Sequence, residues 1–155
     1  MNQNADSKDK HQCITGIPGI DGQHNDLFKN VTALLDYLKK GKTASDSIRE
    51  LLGKIKESLK SHFETEESLM EMIGFPKVVN HKKQHEMLYK QISDIADAFE
   101  KDNGVNIADA VIALNDAKLE HSAVSDVEYV AHIEKLMELR QQFNITAVKA
   151  QILTR

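Results

Sequence analysis

HFETEESLMEMIGFPKVVNHKKQHEMLY, residues 62–89, is the stretch on which the reading of this chain turns. His62 and Glu66 are four apart, and so, beyond the break at Gly74 and Pro76, are His81 and His85. Four residues are slightly more than one helical turn, so each pair lies on a single helix face. Followed upstream, the first face reads Ile48, Leu52, Ile55, Leu59, His62, Glu66, Leu69, Ile73, in alternating steps of four and three. Followed downstream, the second reads Val78, His81, His85, Leu88, Ile92, Ile95, Phe99. Both are apolar seams of amphipathic helices, and each is interrupted by two polar residues. The spacing predicts a helix over about 46–73, with Ser45 or Asp46 able to cap it, and another from Val78 to the turn at Asp102, Asn103 and Gly104.

The same pattern continues outward. Turn residues Gly16, Pro18, Gly19 and Gly22 precede a stripe from Asp21 on, with Leu27, Phe28, Val31, Leu34, Leu35 and Leu38, which Gly41 ends. One turn before Leu27 the stripe reaches His24. The last helix has Ala110 or Val111, Leu114, Ala117 and His121, after which a strict pattern leads to Ser125 and Glu128. Its apolar residues resume instead at Val130, Ile133 and Met137, which extrapolate back to Asp126. A π-type turn, absorbing one extra residue, would keep His121 and Asp126 on the same face. Four such helices with short connections predict an all-α, antiparallel up-down-up-down four-helix bundle over 15–133. Residues 1–14 read as a flexible N-terminal arm and 134–155 as a C-terminal helical extension.

Bulk properties agree with one domain of this kind. A chain of 155 residues has room for one good core, and 41% hydrophobic with 28% charged residues is ordinary for a globular protein. A net charge of -4 with the two signs intermixed argues against nucleic acid or an anionic membrane as partner. The single Cys13 cannot form an intramolecular disulfide, and the polar N-terminus has no apolar signal segment. The expected location is the cytoplasm.

A lone histidine in an apolar seam is usually a hydrogen-bonded core residue. Here five histidines (His24, His62, His81, His85, His121) and two carboxylates (Glu66, Asp126) share the inner faces of four helices. They cannot satisfy one another without a cation between them. Imidazole with carboxylate suits iron, copper, nickel or zinc, and two carboxylates able to bridge argue for two metals.

Segment 62–89 resembles the central motif of the hemerythrin family and its bacterial branch through H-F-x-x-E-E, the aromatic-Pro pair and H-x-x-x-H. GIDGQH at 19–24 resembles the first-helix motif, and H-x4-D at 121–126, with Tyr129 three residues on, the last; the similarity covers residues 16 to about 133. The resemblance implies two oxo- or hydroxo-bridged non-haem irons, with manganese as the alternative metal. His81, His85 and His121 would bind one, His24 and His62 the other, and Glu66 and Asp126 would bridge. If both metals are octahedral and share a bridging oxygen, one position stays open, on the two-histidine metal. Reversible binding of molecular oxygen there is the implied activity, for sensing, transport or storage, and the chain reads as an oxygen-binding protein rather than an enzyme.

The family's Trp-Leu pair and following apolar residue, which wall the oxygen pocket, are replaced by Ala117, Lys118 and Ser122. A more polar wall admits water and protons, so rapid autoxidation is expected and durable storage is disfavoured. Lys118 is expected to face solvent; alternatively it points at the open position and contacts a bound anion. Glu67, His11 and His132 are expected at the surface. The competing functions are a di-iron enzyme or sensor acting on peroxide or nitric oxide, and a zinc-stapled structural bundle. The C-terminal extension could connect to an output domain or protein partner.

Overall fold

The computed structural model describes residues 14–102 and 104–153. Its elements are α1 (Pro18–Lys39), α2 (Ser45–Met72), α3 (Val78–Glu100) and α4 (Ile107–His121), then a π-helical turn (Ser122–Asp126) that leads directly into α5 (Val127–Leu153). Among the described residues there is no strand. α1 packs on α2, α2 on α3, α3 on α4, and α4 back on α1, which closes an antiparallel bundle joined by short loops. The expected arm at 1–14 lies, but for Ile14, outside the described residues.

Helix ends follow local chemistry. α1 begins three residues earlier than the apolar stripe predicts, because Pro18 sits in the first turn, where its fixed φ and missing N–H suit a helix start. Asp21 then pins the incoming chain: its Oδ1 accepts from the Thr15 N–H and hydroxyl, both at 2.8 Å. Gly41, at φ +68°, terminates the α1 region, and Gly74, at φ +62°, turns the chain between α2 and α3. The expected caps at Ser45 or Asp46 are not used, since α2 starts at Ser45 behind Ala44 without a side-chain cap. At α4 the Asn106 side chain accepts from the Ala108 and Asp109 N–H groups.

The core has two apolar clusters. The larger comprises Leu27, Val31 and Leu34 of α1, Ile48, Leu52, Ile55, Leu59 and Phe63 of α2, Leu88, Ile92 and Ile95 of α3, and Val111 and Leu114 of α4. The smaller comprises Met70, Phe75 and Tyr129, with Leu69, Ile73, Val78, Val130 and Ile133 against it. Between them on every helix lie the polar interruptions of the seams. The seams are wider than a single line of residues. Phe63 and Met70 are buried beside the predicted positions, whereas Phe28, expected inside, is 41% exposed. A helix of 3.6 residues per turn drifts across a three-four repeat, and a buried face about 100° wide admits these neighbours.

Beyond Ile133 α5 leaves the bundle, and Leu136, Met137, Leu139 and Phe143 are exposed. Met137, expected in the seam, therefore lies outside it. No described helix is long and apolar enough to cross a membrane.

Candidate metal centre

The polar layer between the two clusters contains His24 from α1, His62 and Glu66 from α2, His81 and His85 from α3, His121 from the last turn of α4, and Asp126 from the π turn. All seven are buried. In a regular α-helix, five residues at about 100° each would carry Asp126 roughly 140° away from His121, out of the core. The expected π turn is present at Ser122–Asp126, absorbs the extra residue, and keeps both side chains inward.

The side chains converge as two overlapping groups. One atom each from Glu66, His81, His85, His121 and Asp126 lie within 4.8 Å of one another, and so do atoms of His24, His62, Glu66 and Asp126. Both carboxylates belong to both groups. Glu66 Oε2 is 3.3 Å from His62 Nε2 and 3.3 Å from His85 Nε2, one from each side. Asp126 divides its oxygens: Oδ1 faces His81 and His121 at 3.3 and 3.1 Å, and Oδ2 faces His24 at 3.8 Å.

Two observations test whether these residues fit a pair of metal ions. The Nε2 atoms of His24 and His62 approach to 3.1 Å, as do those of His85 and His121. Two nitrogens bound to one ion at about 2.1 Å and at right angles would be about 3 Å apart. Glu66 Oε2, both Asp126 oxygens and His81 Nε2 are also buried with no hydrogen-bond partner. Leaving carboxylate oxygens so disposed is costly unless a cation receives them. The donor set fits.

A family model, the Hemerythrin HHE cation binding domain, matches residues 15–142. The chain belongs to the hemerythrin family. It is 31% identical to a bacteriohemerythrin of Pseudomonas aeruginosa over 124 residues, covering 79% of this chain and 78% of that one. To the bacteriohemerythrin of Clostridium acetobutylicum it is 29% identical over 85 residues, 54% of this chain and 66%, just under two thirds, of the relative. To that of Campylobacter jejuni it is 22% identical over 116 residues, 75% of this chain and 86% of the relative. No solved structure gives a significant match.

Within this hemerythrin-type layer the electrostatics favour neutral imidazoles. Burial drives His62 far below the ordinary imidazole range. Burial likewise lowers His85 to about 3, against the opposing hydrogen bond to Glu67. Neutral imidazole is the metal-binding form. Burial, followed by the neighbouring charge of Asp126, raises Glu66. Burial pushes Asp126 the same way, but the nearby His121 and His81 imidazoles together with the charge of Lys118 outweigh it and hold Asp126 below the carboxylate range. Two adjacent carboxylates thus differ in readiness to ionise.

Residues around the layer orient it. His85 Nδ1 lies 2.9 Å from Glu67 Oε1, while Glu67 Oε2 is 3.6 Å from Lys82 Nζ. Glu67 is therefore only half-buried and engaged with the site, not the plain surface residue expected. Gln84 Oε1 faces His121 Nδ1 at 2.8 Å and accepts from the Ser125 hydroxyl at 2.6 Å. Tyr129 donates its hydroxyl to Glu66 Oε1 at 2.7 Å, and Phe63 stacks on His85 with centroids 4.0 Å apart. Such outward partners fix ring orientation and tautomer. Gln84 and Phe63 escape a reading of the sequence because each lies one residue off its seam, and Ser125 stands where the stripe without the one-residue slip leads.

The expected pocket wall is divided. Ala117 is half-buried against the main core and lines an outer groove with Gln84, Met87 and Val124. Lys118 does not face solvent. It is 6% exposed, hydrogen-bonds to Ser122 Oγ, and brings Nζ to 3.8 Å from Asp126 Oδ2. Steps of four from Lys118 to Ser122 to Asp126 are the sequence signal for this, obscured by the solvent preference of lysine. His132 is half-buried rather than fully exposed, with Nε2 3.3 Å from the Ile73 carbonyl and its ring against Phe75. His11 lies outside the described residues.

Proposed function

We propose that the seven side chains hold two iron ions and that the pair binds molecular oxygen reversibly. The observation that carries this reading is the sharing of Glu66 and Asp126 between two ligand groups, three histidines on one side and two on the other. In this reading His81, His85 and His121 bind one iron, His24 and His62 the other, and Glu66 and Asp126 bridge them. Two irons so held supply two electrons for dioxygen and, by the ligand count, one open position on the two-histidine side. The chain's own groups orient the imidazoles from outside, through Glu67 and Gln84, and hold the Glu66 carboxylate through Tyr129. The apolar clusters above and below restrict water.

Buried Lys118 and Ser122 favour sensing of, or reaction with, the ligand over long-term storage, because they place polar groups beside the ligands. The exposed apolar residues of α5 beyond Ile133 support a role for that helix in passing ligand binding to a partner or output domain in the cytoplasm.

Metal analysis with absorption spectra in air and after anaerobic reduction tests the proposal. The expected result is two irons per chain and a charge-transfer band that appears with oxygen and reverses on its removal. One metal or none per chain, or two zinc ions with no response to oxygen, would overturn it.

A further inference from the structure

We propose that the two positions of the centre load unequally: the three-histidine position takes a divalent ion first and holds it, while the two-histidine position fills last and exchanges readily. Ligand binding by this chain then follows the supply of divalent metal. The inference rests on the two-metal reading above and adds to it an order of assembly and a control by metal supply.

The two positions differ in how their imidazoles are held. A histidine that presents Nε2 to a metal carries its proton on Nδ1, and an acceptor at Nδ1 fixes the ring and makes it a stronger ligand. On the three-histidine side two rings have such acceptors. His85 Nδ1 meets Glu67 Oε1 at 2.9 Å, and Lys82 lies 3.6 Å from the other oxygen of that carboxylate. His121 Nδ1 meets Gln84 Oε1 at 2.8 Å, an oxygen that also accepts from the Ser125 hydroxyl. Phe63 further stacks on the His85 ring. On the other side His62 is fully buried and turns Nε2 to Glu66 and His24, yet its Nδ1 has no hydrogen-bond partner among the described residues. A metal bound at Nε2 leaves a polarised N–H buried without an acceptor, which opposes binding there.

Asp126 adds a second inequality. Its Oδ1 faces His81 and His121, whereas Oδ2, toward His24, is also 3.8 Å from the Lys118 ammonium, which donates to Ser122 Oγ as well. The ammonium therefore stands on the His24–His62 side of the bridge, satisfied by Asp126 and Ser122. A metal ion entering on that side competes with it for one oxygen. The first ion also draws on Glu66 and Asp126, which both ligand groups share, and repels a second ion beside it. Fewer imidazoles, one of them without an outer acceptor, and a competing ammonium all act in the same direction.

Cobalt(II) is the probe, added anaerobically to the metal-free full chain. Ions per chain are counted by native mass spectrometry, and stepwise affinities come from competition with a chelator. The expected result is a first step at least about thirtyfold tighter than the second, since outer partners of ligand histidines contribute about 10–100-fold each. Single-ion chains should dominate at one equivalent, and both positions should fill in excess cobalt. Glu67→Ala should narrow the gap between the steps by weakening the first, and Glu67→Gln, which keeps an acceptor oxygen, should restore most of it. Lys118→Met should narrow the gap from the other side by tightening the second step. In the iron form the oxygen-dependent band should grow mainly with the second equivalent; growth in proportion from the first overturns the inference. Equal affinities, or chains holding none or two ions outnumbering those holding one at one equivalent, overturn it and leave the two-metal reading intact. A gap that Glu67→Ala leaves unchanged overturns it too, even where Lys118→Met does not fold. Failure of the unmodified chain to take a second ion in excess cobalt overturns both.

Discussion

Deleting Val124 is the perturbation that most directly probes how this sequence builds its centre. Val124 is exposed and lies within the π turn between His121 and Asp126. Removing it brings His121 and Asp126 four apart, about 40° from superposition on a regular helix, and brings Tyr129 within about 20° of the same line. The π turn should relax to an ordinary α-helical turn, with Asp126 in the metal layer and Tyr129 in the smaller cluster. Deleting Glu128, also exposed but ion-paired with Lys77, has no such remedy. If the π turn persists, Tyr129 rotates by about 100° out of the core; if it relaxes, Asp126 leaves by about 140°. Expelling a fully buried large aromatic costs about 3–5 kcal/mol, or about 10 °C in a chain of this size. The assay is thermal unfolding by circular dichroism, with metals counted by mass spectrometry. The Val124 deletion should stay within about 3 °C of the parent and keep its metals, while the Glu128 deletion loses stability, metal or both. Equal damage from the two deletions would refute the register argument.

Two further outcomes follow from the site. Glu67→Ala removes the carboxylate facing His85 Nδ1, and metal affinity should fall by about 10–100-fold in a competition titration with a chelator, with helix content unchanged; an unaltered affinity would return Glu67 to a plain surface role. In the metal-free protein, stability should decline as pH falls. The unfolded chain protonates His62 and His85 near the ordinary 6.5, while the folded chain resists until about 3 at His85, so each contributes a loss of about 1.4 kcal/mol per pH unit below 6.5. Glu66, raised above its ordinary 4.5, works in the opposite sense and offsets part of this, whereas Asp126, lowered, adds to the loss only below 3.8. A urea midpoint that drops between pH 7 and 5 is expected, and one that rises contradicts the signs.

Much of this protein is legible in its sequence, because helical periodicity converts spacing along the chain into shared faces. His62 with Glu66 and His81 with His85 need only their four-residue steps, and the one-residue slip before Val130 announces the π turn and draws attention to Asp126. Those arguments use neighbours along one helix. They are blind to contacts between helices, which is why Glu67 against His85 and Gln84 against His121 emerge only in the folded bundle. They also rest on average preferences. Lysines mostly face solvent, and that average sends Lys118 outward, yet its stem lies along the stripe it shares with Ser122 and Asp126.

The four-helix architecture and the convergence of seven donor side chains were thus set by the sequence alone, since the periodicity that buries the apolar residues also carries those side chains to the same depth. Which oxygen of Asp126 faces which histidines, and on which side of the bridge Lys118 stands, was decided only by tertiary structure. Those relations depend on side-chain direction and on the closeness of separate helices, quantities that spacing along a single chain does not contain.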